Sequence, residues 1–357
     1  MAIRGKREEF DPLNVSPNRI NQYLSCGQAF HMNYIERLPE EASGSAALFG
    51  SVLHKALESW AINRQQPLMP LVKSAWLSET QGTSVHSFIG AYQQISVEVI
   101  RAEYECGQLF LEKNGRETKA VRMTGFWKKH PVKDKLDIFM REWLPKLNDS
   151  PWRFKENDPL TGLYNESLVL SKRYEARYHD LPNAWLAEFG FSLEWHGFKL
   201  NGYVDSIEPV TWKGKPAIGV VDYKTYRAVP SPQKDWRQRV FYDVAVREML
   251  ADGRLTLPDV SSDLPIVVGM DYTRWTEAWL EESKKKYGYK CGARVWTHVT
   301  DEDRTQLLTE IQMYSRGVKA GVFLPAEKGR NPEYCGYPSN CCMLTKGEGC
   351  GKFVDVV

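Results

Sequence analysis

The stretch "IGVVDYKT", Ile218 to Thr225, starts as a buried strand and then places an aspartate and a lysine in it. Side chains on a strand alternate faces with a period of two, so Asp222 and Lys224 share one face while Val221 and Tyr223 share the other. An ion pair at a strand end is the simplest account of a lone D-x-K. The rest of the chain supplies a second account, beginning with an aspartate upstream.

Asp205 lies in "NGYVDSIEP", seventeen residues before Asp222. A hairpin of that length would set the two carboxylates on neighbouring strands. Two such groups repel each other unless a divalent cation lies between them, and carboxylate oxygens suit Mg²⁺ or Mn²⁺. A hard cation held there polarises a phosphoryl oxygen and lowers the pKa of a bound water. A lysine on the same face can orient or deprotonate that water and offset developing charge. Those are the functions that phosphodiester hydrolysis requires.

His54, in "FGSVLHKALESW", lies beside the apolar stripe of a helix spanning about residues 46–63. It is either a packed core histidine or a third metal ligand, which Mn²⁺ tolerates better than Mg²⁺. Gly50, one turn earlier, would let a neighbouring backbone approach closely. In "WRQRVFYDVA", Gln238 and Tyr242 stand four residues apart on one helical face. They are either surface polarity or a lining for the same site.

The chain has 357 residues, 42% hydrophobic and 26% charged, which is enough for a sizeable core and typical of soluble globular proteins. A net charge of +2 excludes coating of nucleic acid by charge alone, so any polyanion site must be local. "FWKKH" (126–130) and "KKKYGYK" (284–290) are local basic candidates, each also explicable as a solvated face. No run approaches the ~18 apolar residues of a membrane helix, and the charged N-terminus has no signal-peptide core. The expectation is a cytoplasmic protein. Of seven cysteines, four crowd between Cys335 and Cys350, which suggests metal or cluster ligation rather than disulfides.

Ser16 as N-cap and Pro17 at the first helical position open a helix with Ile20, Tyr23, Leu24 and Phe30 at helical spacing. From about residue 65 to 152 the pattern stays mostly helical. Strand signals are read at "ESLVLSKRYEARY" (166–178) and then in "FSLEWHGFKLNGYVDSIEPV", with Trp195-His196-Gly197 as a hairpin turn. "KPAIGVVDYKTY" is a strand, a helix follows over about 233–250, then the strand "LPIVVGMDYTRW" and a helix over about 301–318. This is an α/β layout with a mixed sheet. The expected divisions are N-terminal helices (1–63), a helical insertion (64–165), a mixed α/β core (166–325) and a Cys-rich tail (326–357).

G-x-x-x-H (Gly50, His54), G-x-x-D (Gly202, Asp205), D-x-K (Asp222, Lys224) and Q-x-x-x-Y (Gln238, Tyr242) occur in that order. Together they resemble the motifs of the RecB-like branch of the PD-(D/E)XK nuclease superfamily. The resemblance implies a restriction-endonuclease-like core, a mixed sheet flanked by helices. It also implies that His54, Asp205 and Asp222 bind the metal, with the Tyr223 carbonyl as a further ligand. It makes Lys224 the catalytic lysine, with Gln238 and Tyr242 supporting the site and the DNA. The resemblance covers about residues 14–62 and 166–350.

One subset of that superfamily, including CRISPR-associated RecB-like exonucleases, carries a [4Fe–4S] cluster held by one cysteine before the core and three after it. Cys26, in S-x-x-x-I-x-x-Y-L-x-C, resembles the N-terminal cluster motif, and the tail offers Cys335, Cys341, Cys342 and Cys350. Cys341 and Cys342 are adjacent, so one of the two is the expected ligand, Cys341 being favoured, which gives Cys26, Cys335, Cys341 and Cys350 as the implied set. Joining positions about 300 residues apart costs on the order of 5 kcal/mol of chain entropy, which cluster bonds would offset. Zinc is the rival, disfavoured because no C-x-x-C pair occurs. Cys106 and Cys291 read as buried small residues.

The implied function is a metal-dependent DNA exonuclease on single-stranded ends, in recombination, repair or CRISPR-type adaptation. A helicase, recombinase or CRISPR-adaptation protein is the expected partner. The alternative is a partner-dependent DNA-binding or scaffold subunit. No helicase P-loop is present in these residues.

Overall fold

The computed structural model describes residues 10–38, 43–95, 133–147, 152–153, 160–225, 235–258, 260, 264–274 and 293–324. The basic stretches 126–130 and 284–290, Cys106, Cys291 and the tail cysteines Cys335, Cys341, Cys342 and Cys350 lie outside the described residues.

The N-terminal part runs β1 (Asn14–Val15), α1 (Pro17–Ser25), α2 (Gly27–Phe30), β2 (Ser43–Gly44) and α3 (Ser45–Ile62). Helices α4 (Leu68–Glu79), α5 (Ser84–Gln94) and α6 (Lys133–Trp143) follow, then β3 (Trp152–Arg153) and α7 (Leu160–Tyr178). The central part is β4 (Leu186–Trp195), β5 (Phe198–Trp212), β6 (Lys215–Lys224) and α8 (Trp236–Ala251). The last described elements are β7 (Ile266–Tyr272), β8 (Arg294–Thr297) and α9 (Asp301–Lys319).

Strands β4, β5 and β6 form an antiparallel meander, β7 joins β6 in parallel, and β8 closes that edge antiparallel. β1 pairs with β5 in parallel. The result is a mixed sheet with helices on both faces, the α/β class expected. The β4–β5 turn falls at His196 and Gly197, with φ of 48° and 79°, and Trp195 opposite Phe198. Positive φ at both central residues suits the twist of a two-residue hairpin.

Period two in β6 sorts its side chains between two cores. Ile218 and Val220 join a core with α1, α8 and α9, while Val221 and Tyr223 join a second core with α3, α4, α5 and α7. The sheet is thin where β6 and β7 pass β8: a Cβ on Gly219 or Gly269 would fall within 3 Å of the Trp296 indole.

Two expectations need correction. Residues 166–178 are helix, as part of α7, not strand. Leu160, Leu163, Tyr164, Ser167, Leu168, Ser171 and Tyr174 are buried at steps of three and four, and this outweighs the apparent alternation in "SLVLS". The helix can form because its polar groups find partners inside: Trp76 Nε1 donates to Ser167 Oγ at 2.9 Å and Asn165 Nδ2 donates to Tyr92 OH at 3.0 Å. In α1, Ser16 does accept from the Arg19 amide and Ile20 is buried, but Leu24 is 49% exposed and is not part of the stripe. Tyr23 instead fills the interface, edge-on to Phe30 and Tyr314.

Behind the site lies a buried ionic network. Glu208 on β5 pairs with Arg64, just beyond α3, and with Arg294 on β8. Arg294 also pairs with Asp271 on β7 at 2.7 Å, and Tyr174 OH donates to Asp271 Oδ2 at 2.7 Å. Together with the Ala184 N–H to Ala61 O bond (2.7 Å), this network fixes α3 against the sheet.

Candidate metal and catalytic site

The register of β5 and β6 pairs Ser206 with Val221, and one further step sets Asp205 opposite Asp222. The 17-residue separation therefore does what the hairpin expectation asked. Both carboxylates are largely buried, at 9% and 3% exposure, on the floor of a cleft of about 700 Å³. His54, Tyr223, Lys224, Gln238 and Tyr242 line the same cleft, so the candidate metal and catalytic residues named from sequence meet in one place, while the motif glycines Gly50 and Gly202 do not line it.

The Asp222 side is closed by a ring of polar contacts. Lys224 Nζ lies 2.6 Å from Asp222 Oδ2 and donates to Gln238 Oε1 at 2.6 Å. Gln238 Nε2 donates to Asp222 Oδ1 at 2.8 Å and to Tyr242 OH at 2.6 Å, while Tyr242 OH donates to Asp222 Oδ1 at 3.0 Å. Gln238 and Tyr242 reach one carboxylate together because positions i and i+4 of α8 share a face. Burial raises the Asp222 pKa above the ordinary carboxylate range, Lys224 opposes that rise, and the Asp205 charge adds to it. Burial also pushes the Tyr242 hydroxyl far up, which keeps it a proton donor.

The Asp205 side is built from α3. His54 Nδ1 lies 3.3 Å from Asp205 Oδ2, and the same oxygen accepts the Tyr223 amide N–H at 2.6 Å. Burial disfavours the imidazolium, but the Asp205 and Asp222 carboxylates outweigh it and hold the His54 pKa at about 9. Gly50, one turn before His54, faces Thr225: a Cβ there would lie 3.4 Å from Thr225 Oγ1. The close neighbour is thus a side-chain hydroxyl rather than the backbone that the sequence suggested.

Glu58 was missed. His54, Glu58 and Asp205 offer ligand atoms that all lie within 4.8 Å of one another. Burial and the Asp205 charge push the Glu58 carboxyl up to about 7. The signal was present as H-x-x-x-E, two ligand types one turn apart on one helix, but it was hidden inside an apolar stripe. Opposite Asp205, Glu188 of β4 adopts φ +48°, a left-handed backbone that non-glycine residues rarely hold.

The donor set fits a hard divalent cation. The Asp222 and Glu58 carboxyls both have raised pKa values, Asp205 stands beside them, and the His54 imidazole completes the group. Cys26 is half-buried and caps α2, its Sγ accepting from the Ala29 N–H at 3.4 Å.

A sequence profile described as the PD-(D/E)XK nuclease superfamily matches residues 14–342. The chain belongs to the PD-(D/E)XK nuclease superfamily. Among solved structures, this superfamily member is similar to one named "Putative exonuclease" from Eubacterium rectale, at 14% identity and a TM-score of 0.27. That likeness covers 67% of this chain and 90% of the other. No curated protein matches the sequence significantly. Among the described residues no helix is long and apolar enough to cross a membrane.

Proposed function

We propose that this nuclease-superfamily member is a metal-dependent exonuclease that hydrolyses DNA from single-stranded ends. The observation that carries the proposal is Asp205 opposite Asp222 with Lys224 2.6 Å from the latter, all on the floor of one cleft. In this reading His54, Asp205, Asp222 and the Tyr223 carbonyl hold Mg²⁺ or Mn²⁺, with Glu58 as an added ligand. The bound cation would supply Lewis acidity and a water of lowered pKa. Lys224 orients the attacking water and meets the charge that grows on the phosphoryl oxygens. Gln238 fixes the Lys224 ammonium, and Tyr242 fixes the Asp222 carboxylate.

Burial of the carboxylates favours a single strand. A flexible single strand can bend so that its phosphodiester reaches the cleft floor, with its backbone tracking along the polar wall. The proposal includes a [4Fe–4S] cluster with Cys26 as its first ligand. Gly27 N–H donates to Leu324 O at 2.7 Å, and Tyr23 OH donates to Val322 O at 2.8 Å. The chain after α9 thus runs beside Cys26, eleven residues before Cys335. The cluster would tie α1 to the tail, as in the RecB-like branch. Action within a repair, recombination or CRISPR-type complex belongs to the same proposal.

Protein purified without oxygen should shorten linear single-stranded DNA in Mn²⁺, with labels at the two ends giving its direction. Circular single strands should survive. Equal cutting of circles and linear strands would overturn exonuclease action, and cleavage of duplex alone would overturn the single-strand assignment.

A further inference from the structure

The cleft has a second wall that the chemistry above does not use. Asn18, Asn21 and Ser25 stand three and four residues apart on α1, hence on one helical face, and all three line the cleft. Ile20, which points away from this face, is buried in the core. Beside this face stands Arg237, in the first turn of α8 and next to Gln238. Its Nε is held by Glu310 of α9, and its Nη1 donates to Asn21 Oδ1 at 3.4 Å. Three elements therefore meet at one guanidinium, and the Asn21 carbonyl oxygen is engaged by it. The Asn21 Nδ2 donor is left to the other side of that amide.

Charge decides what this wall suits. The cleft carries Asp205, Asp222 and Asp235 against Lys224, Arg237 and, before metal binds, the His54 imidazolium; Lys224 and His54 are each paired to a floor aspartate. Away from the floor, where the metal and Lys224 would meet the scissile phosphate, a polyanion finds a wall of neutral donors with one guanidinium. Neutral amide and hydroxyl donors bind phosphate and sugar oxygens without depending on charge, which is how much backbone contact is made to DNA.

We propose that the Asn18–Asn21–Ser25 face of α1, with Arg237, seats the sugar-phosphate backbone of the substrate strand next to the scissile phosphate. This inference rests on the nuclease reading. It assigns α1 a positioning role: it sets how the strand lies across the cleft, while the floor performs the hydrolysis.

The test is the Asn18→Ala/Asn21→Ala double variant, with Arg237→Gln made separately because Arg237 also holds Glu310. Binding of a fluorescent oligothymidylate is measured in Ca²⁺, turnover of the same strand in Mn²⁺, and Mn²⁺ affinity by calorimetry. The double variant should raise both Kd and KM about tenfold, as loss of two hydrogen bonds implies. Its kcat should stay within about twofold, with Mn²⁺ affinity unchanged. The slope of log Kd against log salt should be unaltered in the double variant and shallower by about 0.7 in Arg237→Gln, since one phosphate contact is lost. If wild type cleaves and the double variant binds and turns over normally, the α1 track is wrong and the nuclease reading stands. A fall in kcat at constant KM also overturns the track. If wild type neither binds nor cleaves the strand, both fail.

Discussion

Replacing Glu208 by glutamine removes one buried charge and keeps its shape. Glu208 is 1% exposed and is shared between Arg64 and Arg294, whose side chains are 2% and 6% exposed. Arg294 would keep Asp271, at 2.7 Å. Arg64 would keep the Pro182 carbonyl, so its charge would be buried against a neutral acceptor. Breaking one side of a buried pair costs about 3–5 kcal/mol. At about 2.1 cal/mol/K per residue, 357 residues give an unfolding entropy near 0.75 kcal/mol/K, so a loss of about 4 kcal/mol lowers Tm by about 5 °C. Differential scanning calorimetry reads this directly. Adding Arg64→Met should recover much of the loss, because the uncompensated charge leaves with it. The network also anchors α3, which carries His54, so Mn²⁺ affinity should fall in the single variant. A Glu208→Gln protein with a Tm within about 1 °C of wild type would refute the assignment.

Metal binding should tighten with pH. His54 is held protonated to about pH 9 in the metal-free protein, so a cation must displace that proton. Mn²⁺ affinity should rise about tenfold per pH unit from 7 towards 9 and level off above it. Calorimetry in buffers of different ionisation heat should show about one proton released near pH 7.5, and the pH dependence should flatten in His54→Ala. At the sheet centre, a Cβ on Gly219 would meet Val210 Cγ1 at 2.6 Å and the Trp296 ring at 2.9 Å. Gly219→Ala should therefore cost about 1–3 kcal/mol by overpacking, read as a lowered Tm with an unchanged metal titration.

The parts of the fold that a local pattern encodes were legible from sequence. The two-residue turn at His196-Gly197, the face-sharing of Asp222 and Lys224 and the i,i+4 pair Gln238–Tyr242 each depend on spacing alone. Residues 166–178 misled because branched and aromatic residues there mimic a strand over a few positions, while the burial that makes α7 a helix comes from α4, α5 and the sheet. Glu58 stayed hidden because a carboxylate beside an apolar stripe looks solvated until Asp205 arrives from β5. The Arg64–Glu208–Arg294–Asp271 network had no sequence signal at all. Its members are separated by 144, 86 and 23 residues and meet only through the sheet.

If Asp222 holds the metal and Lys224 works on the water beside it, removing each side chain should have a different effect. The most direct test compares wild type, Lys224→Ala and Asp222→Ala for Mn²⁺ affinity and for cleavage of end-labelled single-stranded DNA. Lys224→Ala should bind Mn²⁺ and DNA but cut about a thousandfold more slowly, while Asp222→Ala should lose both metal and cleavage. Cleavage by Lys224→Ala at the wild-type rate would contradict the role given to Lys224.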